Sequence, residues 1–599
     1  MNGQSLIVNL SKNLSTTKSI SDKIIQTYLG GRGLAVKLFT DDVESKINLD
    51  PLSEENELVF ATGILTGTIV PTSGRLALVT KSPLTNTIFF SNTGGHFAPD
   101  MKKSGYDALI IRGKAPTPKY LVINGENIEI KDANKLWGLN TRETLDELKK
   151  LEGEKIHILV IGSAGENLVS FASIMNDGDH RAFGRGGVGA VMGSKNLKAI
   201  VVKKQTKKIP VANVELLKKL VKPAMDKIKL VPITRAALPM FGTASLVNLI
   251  NEIGMLPARN FQKGYDERAE QISGEEIRNS ILQESEGCFN CPIRCGRMTK
   301  VGSSHGKGPE YESLLLGTNT GIYDLETVTK ANYECNLLGL DTITTAGTIS
   351  CAMELVEKGI LSEPDIKFGN KDILVPLIRK IANKEGIGIE LAEGSRKFAE
   401  KYNHPEFSMS VKGLELPAYD PRGAYGHALG YATSNRGGCH LTGYLAAMEI
   451  FAAPKKIARH STAGKSDLLV LKQHQSAIED SLVVCAFAGW AVDMEFYVRF
   501  LKAVTGLEDT FDVTQLMKVG ERIYNLERMY NIREGLSPSE DTLPKRFLEE
   551  GLEAGYRKNP KVPLAQMLKD YNNVRKWDER GVPTPKKLKE LDLKLLEGL

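Results

Sequence analysis

Short apolar runs bounded by turn residues fill the first two hundred residues of the chain. Runs of this length and spacing predict strands, so we expect the first two hundred residues to be β-rich. The clearest runs are Leu58-Val-Phe-Ala61, Leu76-Ala-Leu-Val79, Ala108-Leu-Ile-Ile111, His157-Ile-Leu-Val-Ile161 and Lys198-Ala-Ile-Val-Val-Lys203. A lysine-rich stretch follows the last run, and we place a domain boundary there, before Pro210.

Beyond about Val214 the apolar positions recur with the period of a helix. The pattern predicts helices over Val214–Lys229, Thr327–Leu340, Ile343–Lys358 and Lys371–Glu385, and again from Asp467 to Tyr530. The stretch Gly413–Gly438 is rich in Gly, Pro and Asp and is predicted to be an irregular functional loop. With 599 residues the chain is too long for one core, and we divide it into domains at 1–208, 209–412 and 413–599.

Composition narrows the class of protein. With 41 % hydrophobic and 25 % charged residues and a dispersed net charge of +6, the chain resembles an ordinary globular protein and lacks the dense basic clusters of a nucleic-acid binder. Cys335, Cys351 and Cys439 are scattered and the total of seven cysteines is odd, so a disulfide framework is not expected. No signal peptide and no bilayer-spanning run are recognised, so we expect a cytoplasmic protein without a membrane partner.

The most informative motif is the cysteine triplet Cys288, Cys291 and Cys295, spaced C-x2-C-x3-C. A loop of this kind brings three thiolates together, and soft sulfur ligands suit either an iron–sulfur cluster or zinc. Cys485 is the best candidate for a fourth ligand. The spacing alone leaves both metals open.

Two loops of the β-rich region combine glycine with arginine and are predicted to bind an anion. The first comprises Ser73-Gly-Arg-Leu76 and Ser91-Asn-Thr-Gly-Gly-His96, and the second is Asn176–Ala190. Gly184, Gly186 and Gly189 also match the dinucleotide fingerprint G-x-G-x-x-G. We reject that interpretation because no buried strand is predicted before them and no acidic residue lies about 20 positions later.

Several segments, in this order, resemble the tungsten-dependent aldehyde ferredoxin oxidoreductase family nearly from end to end. They are Gly30-Gly-Arg-Gly-Leu34, Gly74-Arg-Leu76, Asn92-Thr-Gly-Gly95, Asp177–Gly187, the cysteine triplet, Gly308-Pro-Glu-Tyr-Glu312, Gly339-Leu-Asp341, Asn435-Arg-Gly-Gly-Cys-His440 and Asp480 to Cys485. The resemblance replaces zinc with a [4Fe–4S] cluster on Cys288, Cys291, Cys295 and Cys485. It also implies two pyranopterins that hold one tungsten, with room for a Mg²⁺ ion bridging their phosphates.

The resemblance assigns cofactor contacts residue by residue. They are Arg75, Asn92, Gly94, Gly95, Arg181, Ala182, Gly184, Arg185, Asn336, Leu340, Asp341, Asp480 and Val484. Many relatives have Asp at the position of Asn336, and Gly-Leu-Cys where this chain has Val483-Val-Cys485. The implied fold class is α+β: a β-rich N-terminal domain of two sheets followed by two mostly α-helical domains, with the cofactor at the domain junction.

The resemblance further implies oxidation of a small aldehyde to a carboxylic acid, with electrons passed to ferredoxin or an iron–sulfur subunit. Glu312 and His440 match the family's active-site Glu and His and are the candidates for the proton acceptor, and Tyr419 matches a substrate-contacting tyrosine of some relatives. The Glu-x-x-His motif of an iron shared between subunits is not found in the corresponding helical region, so a homodimer or heteromer would be held by other contacts. Two alternatives stay open: reduction of an aromatic thioester within a larger complex, and a tungsten or molybdenum module serving electron transfer.

Overall fold

The computed structural model describes residues 3–43, 45–554 and 557–594. Residues up to 203 form two mixed six-stranded sheets. The first has the strand order β2-β1-β6-β3-β4-β5 and consists of β1 (Gly3–Asn9), β2 (Leu14–Ile20), β3 (Leu58–Ala61), β4 (Leu76–Lys81), β5 (Ile88–Thr93) and β6 (Ala108–Arg112). The second has the order β11-β10-β9-β12-β7-β8 and consists of β7 (Lys119–Asn124), β8 (Asn127–Asp132), β9 (Ile156–Val160), β10 (Ile174–Asn176), β11 (Arg181–Phe183) and β12 (Leu197–Lys203).

The two sheets pack face to face because alternate residues of their strands are apolar and buried. Leu58 and Phe60 of the first sheet share one buried cluster with Ile200 and Val202 of the second. Six helices connect the strands: α1 (Asp22–Tyr28), α2 (Gly31–Asp42), α3 (Phe97–Lys103), α4 (Thr141–Glu152), α5 (Ser163–Glu166) and α6 (Val188–Ser194). The predicted strands of this region are confirmed, with ends shifted by at most a few residues.

The rest of the chain is mostly helical, as predicted. Its first part contains α7 (Val214–Leu230), α8 (Leu238–Phe241), α9 (Leu246–Glu252), α10 (Gly274–Ser280), α11 (Leu315–Thr318), α12 (Leu325–Leu338), α13 (Thr342–Glu357), α14 (Leu374–Asn383), α15 (Gly388–Leu391) and α16 (Ser395–Lys401). A three-stranded antiparallel sheet interrupts them, formed by β13 (Leu282–Glu286), β14 (Gly296–Val301) and β15 (Ser304–Lys307). The cysteine triplet is the connection from β13 to β14.

The last part follows a short hairpin of β16 (Ser410–Val411) and β17 (Leu414–Glu415). Its helices are α17 (Tyr425–Thr433), α18 (Ala446–Glu449), α19 (Lys465–Leu482), α20 (Met494–Thr505), α21 (Val513–Arg533), α22 (Lys545–Glu549), α23 (Leu564–Arg575) and α24 (Pro585–Glu590), with the hairpin β18 (Leu552–Ala554) and β19 (Arg557–Asn559) between them. The boundary predicted at 412/413 falls inside the β16–β17 hairpin. Both domain boundaries stay predictions.

Two details of the sequence interpretation are corrected. The stretch Gly413–Gly438 is not irregular throughout, because α17 occupies Tyr425–Thr433. Every residue of α17 is buried, so the helix has no polar face that would reveal its period. The second detail concerns the fingerprint: a short strand, β11, does precede Gly184, but only Phe183 of its three residues is buried. It pairs antiparallel to β10 and so forms no parallel β-α-β unit with it.

One stretch, Ile233–Glu252, is long and apolar enough to cross a membrane when judged by length and composition. In the fold it is not one straight helix: a π-helical turn, α8, a 3-10 turn and α9 follow one another, with Gly242 at φ +64°. Val247 and Ile250 pack in the protein core. The expectation of no membrane partner stays a prediction.

Candidate metal centre and active site

The cysteine loop is fixed by contacts to the N-terminal sheets. The side-chain amide of Asn290 donates to the carbonyls of Ile69 at 2.7 Å and Val70 at 3.0 Å, and Thr72 N–H donates to the carbonyl of Asn290. Gly74 is required here because a Cβ at this position would lie 2.5 Å from the Cβ of Phe289. The N-terminal domain therefore sets the position of a loop that belongs to the helical part of the chain.

The fourth cysteine, Cys485, follows the end of helix α19 and is distant in sequence from the triplet. Helix α19 ends at Leu482, Val483 follows with φ +50°, and the N–H of Cys485 donates to the hydroxyl of Thr72 at 3.4 Å. Cys485, Cys288, Cys291 and Cys295 line the same cavity, of about 280 Å³, at the junction of the sheets and the helices. Within the part of the chain that the structure describes, no three His, Cys, Asp or Glu side chains form a site for a single metal ion.

Arg181 supplies positive charge next to the thiols. Its Nε donates to Sγ of Cys288 at 3.3 Å. Burial by itself would raise the pKa of Cys288, but the charge and hydrogen bond of Arg181 outweigh burial and lower it. Burial dominates at Cys291, where it raises the pKa to about 11, and also raises the pKa of Cys295. A Cβ at Gly94 would lie 2.6 Å from Sγ of Cys288, so only glycine fits at this position.

Most of the predicted cofactor contacts line the cavity as well. Those that do are Arg75, Asn92, Gly94, Arg181, Ala182, Gly184, Asn336, Leu340 and Asp341. Asn92 has an informative environment: its Nδ2 donates to Oδ1 of Asp480 at 2.5 Å, whereas its buried Oδ1 has no partner. A buried amide oxygen without a partner normally needs a donor, and this one belongs to a side chain of the cavity wall.

The remaining predicted cofactor contacts, Gly95, Arg185, Asp480 and Val484, are not part of the cavity lining. Gly95 adopts φ +107° against the side chain of Asn176, and Val484 is buried with its N–H bonded to Glu479. Arg185 donates to Oδ2 of Asp341 at 3.0 Å and to the carbonyl of Gly438 at 3.0 Å. Arg185 therefore joins the glycine loop to the segment that carries His440.

The three predicted catalytic residues lie close together, and Glu312 among them lines the cavity. Glu312 lines the cavity, its Oε2 accepts from the N–H of Ala418 at 2.9 Å, and its Oε1 lies 3.4 Å from Nε2 of His440. The ring of Tyr419 lies 6.0 Å from that of His440, and its hydroxyl is 2.9 Å from the hydroxyl of Tyr444. Burial raises the pKa of Glu312 to about 7 and lowers the pKa of His440 well below its usual value.

Sequence reasoning missed several residues of this site. Tyr444 and His427 complete the aromatic surroundings of Tyr419, with ring centroids 6.0 and 5.3 Å away. Lys307 and Asn332 also line the cavity. Tyr444 lies four residues after His440, which is a local signal; the other positions are set by tertiary contacts.

Comparison with known proteins gives the family. A profile described as "Aldehyde ferredoxin oxidoreductase, N-terminal domain" matches residues 5–204, and one described as "domains 2 & 3" of that enzyme matches residues 219–593. The tungsten-containing aldehyde ferredoxin oxidoreductases of Pyrococcus furiosus and Thermococcus kodakarensis are each 46 % identical over 602 residues, covering 99 % of this chain and 98 % of the relative. The chain belongs to the aldehyde ferredoxin oxidoreductase family.

Aldehyde ferredoxin oxidoreductase relatives extend to other activities. The "Aliphatic sulfonate oxidoreductase, WOR-like subunit" of Pyrococcus furiosus is 31 % identical over 637 residues, covering 99 % of this chain and 97 % of the relative. A solved structure, the "Active site complex BamBC of Benzoyl Coenzyme A reductase in complex with 1,5 Dienoyl-CoA", superposes with a TM-score of 0.84 at 26 % identity, covering 99 % of this chain and 98 % of that one. The family makes this chain a tungsten oxidoreductase, and the substrate is a separate question.

Proposed function

We propose that the chain oxidises small aldehydes to carboxylic acids and passes the electrons to ferredoxin. The balanced half-reaction converts RCHO and H₂O into RCOOH, two protons and two electrons. The proposal carries over the activity named for the relatives that are 46 % identical over nearly the whole chain. The observation that supports it best is one cavity whose wall holds both four thiols and Glu312.

The residues of the cavity fit the cofactors that we propose. Four cysteines from two distant segments suit a [4Fe–4S] cluster. The unpartnered Oδ1 of Asn92 suits an N–H donor of a pyranopterin, and Arg75 and Arg181 suit its phosphate. A bound tungsten bis-pyranopterin would supply the two-electron acceptor of the reaction.

Glu312 and His440 would accept and release the proton of the reaction. Oε1 of Glu312 and Nε2 of His440 are 3.4 Å apart, and burial shifts their pKa values in opposite directions, up for Glu312 and down for His440. A carboxyl group with a pKa of about 7 can both accept and release a proton near neutral pH. Tyr419 and Tyr444 would orient the substrate and exclude water, because Tyr419 is buried and Tyr444 is half-buried beside this pair.

Electrons would leave the protein at the cysteine loop. Cys288, Cys291 and Cys295 are half-buried, and Asn290 and Arg294 between them are exposed. A small electron carrier could therefore approach the cluster from outside. The bridging Mg²⁺, the cytoplasmic location and assembly as a homodimer or heteromer stay predictions.

The test is viologen-linked oxidation by the purified chain. Protein produced with tungstate should contain tungsten and four irons per chain, and it should reduce benzyl viologen with short aliphatic or aromatic aldehydes. Elemental analysis of the same sample decides between tungsten and molybdenum. Protein that contains tungsten and iron but oxidises no aldehyde in such a series would overturn the proposal.

A second candidate function is reduction of an aromatic thioester, favoured by the superposition on the benzoyl-coenzyme A reductase complex. Its sequence identity of 26 % is well below the 46 % shared with the aldehyde oxidoreductases. The same protein preparation, given a reduced viologen and an aryl thioester, should give no ring reduction if aldehyde oxidation is its activity.

A further inference from the structure

The motif Gly30-Gly-Arg-Gly-Leu34 has no role in the site described so far. It forms the start of α2, and the side chain of Arg32 is completely buried. The Nε and Nη2 of Arg32 donate to the two carboxylate oxygens of Glu527, each at 2.7 Å, and its Nη1 donates to Oδ2 of Asp480 at 3.2 Å. Its guanidinium carbon also lies 3.5 Å from the ring centre of Phe90. A planar group with several fixed donors is needed to make all of these contacts together.

The glycines of the motif let α2 approach the end of α19. A Cβ at Gly31, which has φ +42°, would lie 2.3 Å from the carbonyl oxygen of Asp480. A Cβ at Gly30 would lie 2.6 Å from the carbonyl of Thr62, and the N–H of Gly33 donates to the hydroxyl of Ser481 at 3.0 Å. The motif therefore holds the segment that leads from Asp480 towards Cys485.

Arg32 is connected to the cavity wall through Asp480. One carboxylate oxygen of Asp480, Oδ2, accepts from Arg32, and the other, Oδ1, accepts from Nδ2 of Asn92 at 2.5 Å. A carboxylate only accepts, so the amide of Asn92 must present its nitrogen to Asp480 and turn its oxygen away. That oxygen is the buried atom without a partner in the cavity wall.

We infer that Arg32 is a positioning residue for the pyranopterin: it holds Asp480, which in turn aims the side-chain oxygen of Asn92 at the cofactor. The same ion pair extends to the segment of His440, because Oε2 of Glu527 also accepts from Nδ2 of Asn435 at 3.1 Å. The inference rests on the proposed function, since the group that Asn92 would contact is the proposed cofactor.

The test measures how fast tungsten leaves the loaded protein. Wild-type and Arg32→Lys proteins are incubated well below their unfolding temperatures, and tungsten and iron are measured after gel filtration at intervals. Lysine keeps the charge but cannot form the fork to Glu527 and also reach Asp480. We expect Arg32→Lys to release tungsten about 10- to 100-fold faster, with iron content unchanged, which is the size typical of losing an outer-shell partner.

Arg528→Lys is the matched control. Arg528 is also completely buried and pairs through two bonds with one carboxylate, that of Asp541, away from the cavity lining. Arg528→Lys should lower the unfolding temperature without faster tungsten release. Equal release by the two lysine variants would overturn the inference.

A double-mutant cycle separates positioning from general loosening. If Arg32 acts through Asn92, then Arg32→Lys should add little to tungsten release when Asn92→Ala is already present. The full single-mutant effect in that background would overturn the inference.

A second pair of variants is used should Arg32→Lys not fold. Arg32→Gln with Glu527→Gln replaces the ion pair by a neutral pair, and Arg528→Gln with Asp541→Asn is its control. The first double variant should release tungsten faster than the second, and equal release would again overturn the inference. Wild-type protein that binds no tungsten would instead overturn the proposed function.

Discussion

The cysteine wall of the cavity (Cys288, Cys291, Cys295 and Cys485) and the acid pocket beside it (Glu312, His440, Tyr419 and Tyr444) are built in opposite ways. The cysteine wall is half-buried, is held by a loop with exposed residues and has a guanidinium next to one thiol. The acid pocket has no exposed residue, since Tyr419 is buried and Glu312, His440 and Tyr444 are half-buried, and burial raises the pKa of its acid and lowers the pKa of its base. Electrons need a route to a partner at the surface, whereas proton transfer near neutral pH needs groups whose pKa values burial has shifted.

The largest effect is expected at the cysteine wall. Cys485→Ala removes one of four proposed ligands, so the cluster should be lost and viologen reduction should fall to background. Iron content and the visible spectrum of the purified protein check this. Cys351→Ala is the control, because Cys351 is buried in the main helical core and does not line the cavity; it should keep four irons. An unchanged spectrum in Cys485→Ala would refute the fourth-ligand assignment.

In the acid pocket a substitution should affect the rate and not the metals. Glu312→Gln should lower kcat by roughly 100- to 10,000-fold, the typical cost of removing a general acid–base group, and His440→Ala should behave similarly. Metal analysis and steady-state kinetics together test this. Glu415→Gln is the matched control: Glu415 is also buried with a raised pKa, but its side chain accepts from Ser395 and does not line the cavity. Turnover at the wild-type rate in both Glu312→Gln and His440→Ala would rule out the catalytic assignment.

Arg181 contacts a thiol of the cysteine wall and is also the proposed partner of the cofactor phosphate, so its removal should affect both the cluster site and the pterin site. Arg181→Ala takes away charge beside Cys288 and the proposed phosphate partner, and tungsten content should fall together with activity by about 10- to 100-fold. Arg142→Ala serves as the control, since Arg142 pairs with Asp179 but is not itself part of the cavity lining. Full tungsten content and normal rates in Arg181→Ala would contradict the assignment.

The pH dependence should report the acid pocket. If Glu312 accepts the proton as a carboxylate, kcat/KM should rise about tenfold per pH unit below its pKa of about 7 and level off above it. Glu312→Gln should abolish this rising limb. The raised pKa also means that the folded state favours protonated Glu312, so its contribution to the free energy of unfolding should decrease as the pH rises from about 4.5 to about 7. A wild-type profile that is flat between pH 5 and about 7 would argue against this role.

The smallest effect is expected for Tyr444→Phe. The change removes the hydroxyl partner of Tyr419 but keeps the ring, so KM should rise by less than about tenfold, the cost of one hydrogen bond. Steady-state kinetics with a series of aldehydes would measure it. Tyr402→Phe, which loses a hydrogen bond to Glu390 outside the cavity lining, should leave KM unchanged. A larger change in kcat than in KM would mean that Tyr444 takes part in the chemical step.

The contrast between the two regions also decides how much sequence could predict. Cys288, Cys291 and Cys295 lie within eight residues of one another, so their spacing revealed a metal site directly. The acid pocket joins Glu312 to a residue 128 positions later, and no periodic pattern connects the two. Family resemblance brought both residues into the prediction, but Tyr444 and His427 entered the site only through packing.

By itself the sequence determined the strands, most of the long helices and the cysteine ligand candidates, because these depend on local periodicity and spacing. Tertiary structure alone decided that Arg32 and Glu527, 495 residues apart, form one buried ion pair, and that Asn92 turns its oxygen into the cavity wall. It also revealed α17, whose period is hidden because all its faces are buried. Contacts between distant segments leave no local pattern: each residue satisfies its hydrogen bonds with partners that only the folded chain brings within reach.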